Sequence, residues 1–451
     1  MTGLIIEYLP LLMFLSLGLL IFSGLPVAIV LGGISLIFAG IGLALGEIRM
    51  VHLPLLVNRI FGSAMSNIVM VAVPMFVLMG TLLEKSGIAE DLLAGLQSLM
   101  RSVPGGLAIG VTLVGTVLAA STGIIGASVV MLAMLAMPMM LRQGYDPKMA
   151  AGSIAASGTL GILIPPSIML VIMGDLLTLS VGKLFMAALI PGLMLSALYV
   201  AYILAVSLFR PRPTSPANGA SSPLLTRQLA AGFLPPALLI VLVLGSILAG
   251  WATPTEASGV GALGALVLAV LRRRLSPKGL NDVLSRSLRT AAMIFFIFVG
   301  ATAFSYLFRR FGGEEMILAM VDASAMGPWP VLAALMLMVF LLGFFFDWIE
   351  ITLIVLPIFA PIIGQLDFGN HVTGDNRVYW FAILMALNLQ TSFLTPPFGF
   401  ALFYLKGTVR GLVGIGDIYR GIIPFVLLQV LALALVLAFP EIAIWLPGWI
   451  N

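Results

Sequence analysis

There is no cysteine anywhere in the chain. Disulfides, thiolate catalysis and thiolate-ligated zinc are therefore excluded, although the compartment is not fixed, because a bilayer protein can do without disulfides on either side. Histidine is nearly absent: His52 and His371 are too few and too far apart for a zinc pair, and each reads as an interfacial residue. Charge is scarce as well, with Asp, Glu, Lys and Arg making up 9% of the 451 residues, against about a quarter in a soluble domain. No basic residue precedes Arg49. The apolar start "LLMFLSLGLLIFSGLPVAIVLGG" thus has neither the positive n-region nor the small-residue cleavage site of a signal peptide, and reads as retained helix.

What is abundant is apolar: 61% of the residues are hydrophobic, and runs of transmembrane length recur from end to end. They are rich in Leu, Ala, Gly and Met and do not alternate, which fits helices and not the dyad-patterned strands of a barrel. The expected fold is an all-α polytopic bundle of the inner membrane, bathed in membrane lipid, with about 10 spanning helices plus two re-entrant hairpins. The net charge of +4 sits mostly in loops, where it orients the protein and carries little weight for nucleic acid.

Two basic loops, "RPRPTSPANGASSPLLTR" (210–227) and "RRRLSPKGLNDVLSRSLR" (272–289), flank a helical hairpin at 230–271 and should be cytoplasmic. Counting outward from them, both termini fall in the periplasm, as does the loop around Asp367, His371 and Asp375. Arg49 and Arg59 also fall on that side, against the charge rule.

Two apolar stretches are too long for single helices: 107–141 and 330–363. Each has a polar or glycine-rich middle, Ser121, Thr122, Gly123 and Ser128 in one, Asp347 and Glu350 in the other. The topology balances if both are re-entrant hairpins, whose irregular tips are tolerated at membrane depth only where protein or a water-filled cavity covers them. Each is followed by an apolar helix broken by a proline pair. Pro165 and Pro166 interrupt 148–176, and Pro396 and Pro397 interrupt 378–405, an offset of 231 residues. Gly80 against Gly300, Pro104 against Pro328 and Pro138 against Pro361 keep the same order at similar spacing. This is an internal repeat, inverted by the charge argument, and paired interrupted helices in inverted halves mark the midplane site of a secondary transporter.

Each proline lacks an N–H and crowds the carbonyl four residues back, which takes Gly161, Ile162, Ser392 and Phe393 out of helical pairing. Freed carbonyls with nearby hydroxyls or amides suit an alkali cation such as Na+. One candidate set is Ser121, Thr122, Ser128, Ser157, Gly158, Thr159 and Gly161; the other is Asp347, Thr352, Asn388, Gln390, Thr391, Ser392 and Thr395. Half-helices restarting at proline offer exposed N–H groups to an anion, so Pro165, Pro166, Ser167, Pro396, Pro397 and Glu350 are candidates to face substrate. Blander readings compete: a packing kink, Ser and Thr bonded to their own backbone, Asp347 and Glu350 as a cap, and Asp175 as a solvated helix end.

The stretches "VPMFVLMGTLLEKSGIAEDLL" (73–93), "STGIIGASVVMLAM" (121–134), "ASGTLGILIPPSIML" (156–170), "SVGKLFMAALIPGL" (180–193), "GWATPTEASGVGA" (250–262) and "NLQTSFLTPPFGFALFYLKG" (388–407) cover nearly the whole chain. In that order the chain resembles the large permease subunit of tripartite ATP-independent periplasmic (TRAP) transporters, in the ion-transporter superfamily. The resemblance implies a non-enzymatic, sodium-coupled, elevator-type carrier of the bacterial inner membrane. It would work with a separate small four-helix membrane subunit and a periplasmic substrate-binding protein, importing a small anionic organic acid, and would use no organic cofactor or transition metal. The first tip reads Ser121-Thr122-Gly123-Ile124 where many members have a Ser-Gly-Ser type, and "FFFDWIEIT" resembles a subgroup linked to 2-oxo acids and related organic acids. The layout is 1–46 N-terminal scaffold, 47–209 and 275–440 inverted repeats, 210–274 loop and connector hairpin, and 441–451 periplasmic tail. The rival readings are a partner-independent sodium/dicarboxylate symporter of related fold and, more remotely, an ion channel.

Overall fold

The structure is a computed structural model that describes residues 6–100, 102–122, 125–209, 223–323, 326–396 and 399–449; the side chains of 89, 98, 119–122, 223–233 and 322 are not among those described. Helices are its only regular secondary structure among the described residues. Eight of them are long and apolar enough to cross a membrane, including the second limbs of the two hairpins, Ile125–Arg142 and Trp348–Gln365. Their outward faces carry large apolar residues, Leu19, Leu36 and Leu271 among them, each more than 70% exposed, as lipid-facing surfaces require.

Five elements recur in the same order in the two halves. In the first, α1 (Ala72–Lys85), α2 (Ile88–Leu99), hairpin limbs α3 (Gly106–Thr122) and α4 (Ile125–Arg142), a helix broken into α5 (Pro147–Thr159) and α6 (Ile168–Leu176), and α7 (Val181–Phe209) follow one another. Between the halves lie two connector helices, Pro223–Leu248 and α8 (Pro254–Leu271). The second half then runs α9 (Pro277–Arg310), α10 (Gly313–Ala323), limbs α11 (Pro328–Leu342) and α12 (Trp348–Gln365), a helix broken into α13 (Asn376–Leu394) and α14 (Phe400–Thr408), and α15 (Ile415–Ala438).

The helix starts are written in the sequence. Asp146, Thr253 and Ser276 each precede a proline at the first helical position and accept a backbone N–H through the side chain, which satisfies a donor the helix cannot. Thr253 and Glu256 complete a reciprocal capping box, and Thr255 Oγ1 donates to Ile68 O at 3.1 Å. The "TPTEA" segment is therefore a helix start latched to a neighbouring turn.

Packing falls into two neighbourhoods. Val27–Leu45, α1, α8 and α9 form one, while the hairpins, the broken helices, α7 and α15 form the other. They touch where α3 and α6 meet α1 and where α12 meets α9. Glu84, Lys85 and Asp91, at the end of α1 and start of α2, pair with Arg286, Asp282 and Arg272 at 3.4, 3.1 and 2.8 Å, so this acidic turn belongs to the same end of the molecule as the second basic loop. Residues 441–449 fold back as Glu441–Ile444 and Pro447–Trp449 against α7.

At the crossing of α5 and α15, a Cβ on Gly152 would overlap the carbonyl of Gly421, and one on Gly421 would overlap that of Lys148. Neither backbone has room to move away, so overpacking applies. Gly152→Val should lower stability by about 1–3 kcal/mol, seen as a lower thermal unfolding temperature in detergent. Gly33→Ala, inside a helix where a Cβ meets nothing within 4 Å, should not lower stability and gains up to about 1 kcal/mol from helix propensity.

Candidate functional site

The first break follows from proline's missing donor. Beyond α5 the chain tightens into a 3-10 turn, Leu160–Ile162, and the N–H groups of Leu163 and Ile164 both return to Leu160 O at 3.1 and 3.0 Å. The Pro165–Pro166 peptide is cis, and α6 begins two residues later. Ser167 Oγ donates to Ile162 O at 2.7 Å. One of the four carbonyls expected to be free is thus reclaimed by a side chain. In the second break Thr395 N donates to Ser392 O at 3.1 Å, reclaiming another. These donors answer the demand that backbone at membrane depth be satisfied by protein. Pro165, Pro166 and Ser167 are fully enclosed, Pro396 is half-buried, and Pro397 lies outside the described residues.

The two breaks meet. Gln390 Nε2 donates to Thr159 Oγ1 at 3.3 Å, and these residues stand 231 apart, the same offset that separates the proline pairs. Ser157 and Asn388, equivalent by that offset, each tie a broken helix to the first limb of its own hairpin: Ser157 Oγ to Thr112 Oγ1 at 3.2 Å, and Asn388 Nδ2 to Met336 O at 2.7 Å. Gly158 lies against Val129 of α4, with no room for a side chain. Gly161 is buried in the 3-10 turn.

The hydroxyls of Thr159, Thr391, Ser392 and Thr395 each donate to a carbonyl of their own helix, Ala156, Leu387, Leu389 and Thr391 respectively, all at 2.8 Å. Two polar oxygens in the neighbourhood are buried without a partner among the described residues, Gln390 Oε1 and Thr352 Oγ1. In the first tip, Gly123 and the side chains of Ser121 and Thr122 lie outside the described residues, and Ser128 is buried on α4. In the second, Asp347 caps α12, its Oδ1 accepting from Trp348 N at 2.8 Å, while Glu350 Oε2 accepts from Asp347 N at 3.3 Å. The two carboxylates form a capping box. Among the described residues no cluster of His, Cys, Asp and Glu is suited to a metal ion.

A cavity of about 450 Å³ lies between the two neighbourhoods, near the end of α9 remote from the basic loop. Arg59, Ser63, Phe298, Thr302, Ser305 and Arg309 form one wall, and Asp175 to Thr178 with Leu353 to Gly364 form the other. Asp175 is no solvated helix end: it is half-buried, and Asn67 Nδ2 donates to its Oδ1 at 2.5 Å across the boundary. Asn67 lies 108 residues away, so no local pattern links the pair. The available clue was Arg59, a basic residue on the side that the charge rule disfavours.

An all-helical membrane fold with two broken helices joined at their breaks defines a membrane transporter. Among solved structures, the YdaH transporter of Alcanivorax borkumensis superposes with a TM-score of 0.59 at 14% identity, covering 88% of this chain and 87% of that one, a likeness of fold. The profile described as "Tripartite ATP-independent periplasmic transporter, DctM component" matches residues 14–442, and the chain belongs to that family. It is similar to the C4-dicarboxylate TRAP transporter large permease protein DctM of Pseudomonas aeruginosa, 31% identical over 85% of this chain and 87% of the relative. It is also similar to the sialic acid TRAP transporter large permease protein SiaM of Vibrio cholerae, 29% identical over 95% and 96% of the two chains. The chain is thus a multi-pass inner-membrane TRAP large permease, a transporter component and not an enzyme.

Removing either end of the Gln390–Thr159 bond should expose its energetic coupling. Thr159→Val and Gln390→Leu, combined, should differ from the sum of the single changes by about 1 kcal/mol. Thermal unfolding of the four proteins measures this, and strict additivity would mean that the bond contributes nothing.

Proposed function

We propose that this permease drives sodium-coupled uptake of an organic acid by an elevator movement, with 47–209 and 275–440 as inverted repeats. The observation that carries the reading is the meeting of the two breaks at residues related by the repeat offset, Thr159 and Gln390. An inverted pair of broken helices joined at midplane is the arrangement in which secondary transporters bind coupling ions and substrate.

Sodium is the coupling ion in this reading. A hydroxyl whose proton is committed to a carbonyl turns its lone pairs outward, the orientation a cation needs. Thr391, Ser392 and Thr395 have that geometry, and Thr159 keeps one lone pair beside the bond it accepts from Gln390. Gln390 Oε1 and Thr352 Oγ1 add buried oxygen without a partner among the described residues. Ser121, Thr122, Ser128, Ser157, Gly158 and Gly161 complete the first set, and Asn388 and the Asp347 cap lie in the second. The substrate is an anionic organic acid, a class that contains the C4-dicarboxylates and sialic acid in the two relatives' names. Its partners are a small membrane subunit, which covers part of the apolar surface, and a periplasmic binding protein that delivers the solute.

Proteoliposomes holding both membrane subunits, supplied with the binding protein, should take up solute only with an inward sodium gradient. Uptake of equal rate without sodium would overturn the coupling. Asn388→Ala and Thr391→Ala should each raise the sodium concentration for half-maximal uptake about fivefold, the equivalent of about 1 kcal/mol. If neither changes sodium dependence, the second break is only a kink.

A further inference from the structure

We propose that the cavity between the two neighbourhoods is a reception site for a solute carboxylate, with Arg59 and Arg309 as its charged donors and Ser305 as a hydroxyl donor. The inference rests on the uptake reading above and on the orientation set by the basic loops, which puts this end of α9 in the periplasm.

Four observations meet there. The volume, about 450 Å³, is that of a small organic acid site. Beyond it an outer recess of about 730 Å³ shares Arg59 and Arg309 and adds Arg310, so the approach from outside is lined by three guanidinium groups, against the carboxylates of Asp175, Glu315 and, beside Arg309, Glu314. Ser305 lines the cavity, is 5% exposed, and its Oγ has no hydrogen-bond partner among the described residues. A buried hydroxyl left unpaired costs free energy that a bound carboxylate oxygen would recover. Finally, Arg309 is only loosely held. Its Nε lies 3.8 Å from Glu314, well beyond the 2.7–2.9 Å of a charge-assisted hydrogen bond, so its guanidinium can turn to a carboxylate in the bidentate geometry that arginine favours.

Asp175 sets the polarity of the site. It lies on the wall opposite the arginines, held by Asn67, and repels an anion towards them. The remaining surface of that wall, Leu353, Leu356, Pro357 and Ala360, is apolar and accepts the solute's carbon skeleton. The cavity has one wall in each packing neighbourhood, so relative movement of the two changes its volume and passes the solute on.

The absence of cysteine supplies the test. Ser305→Cys gives this chain a single thiol in the cavity, and the complex with the small subunit is probed in right-side-out vesicles with a membrane-impermeant maleimide. Labelling is read on this chain after separation by size. The expected result is labelling from outside, slowed about fivefold or more by succinate or sialic acid and not by succinamide, the neutral diamide of succinate. Protection should vanish when Arg59→Gln and Arg309→Gln are added. Ser63→Cys, on the same wall, provides a second thiol if the first variant fails to fold. Labelling that neither acid slows, or protection that survives both arginine changes, overturns the proposal. Sodium-dependent uptake measured on the same preparations, now supplied with the binding protein, separates the two readings: intact sodium dependence without protection sinks the cavity site alone, and protection without sodium dependence sinks the coupling alone. Labelling only from the inner face sinks the orientation on which both stand.

Discussion

A peptide group inside a bilayer has no water to bond, and this fold is organised around two places where helical pairing is broken at that depth. Proline makes the break and cannot repair it. The repairs come from elsewhere: Ser167 reaches back to Ile162 and Thr395 to Ser392, while Asn388 ties the second broken helix to Met336 on the hairpin. Each repair needs protein packed around it, which explains why the broken helices lie at the centre and why nearly every side chain from Ile154 to Met173 and from Trp380 to Leu394 is buried. The hairpins are the covering that makes irregular backbone tolerable.

Much of this was legible in the sequence because proline, small polar residues and helix caps act locally. Hydrophobic runs marked helices, and Asp347 with Glu350 three residues on is the reciprocal cap pattern that the structure displays; two of the three Pro-Pro pairs mark breaks, whereas Pro235 and Pro236 lie inside the unbroken helix Pro223–Leu248. The repeat offset even names the contact between the halves, since the residue equivalent to Thr159 is Gln390. What was not legible is what depends on distant partners. Prolines displace carbonyls, but the sequence does not say that Ser167 and Thr395 will take two of them back. Asp175 looks like an ordinary polar helix end until Asn67, from another part of the chain, is placed beside it. The cavity near Arg309 is likewise assembled from five separate segments.

Fold and chemistry are shared at different depths. The likeness to YdaH holds at 14% identity, where it reflects an arrangement of helices and says nothing of cargo. Relatives near 30% identity carry names with unlike solutes, a C4-dicarboxylate and sialic acid.

One helix deserves a mechanical reading. α15 meets the first broken helix backbone to backbone at Gly152 and Gly421, and holds the second through Trp380 Nε1, which donates to Val436 O at 2.8 Å. The first joint is backbone on backbone, and the second is a fully buried indole, so neither rests on a flexible surface side chain. α15 therefore serves as a splint across both fractures: a chain deliberately weakened in two places keeps its alignment because a third, continuous rod is fastened to each.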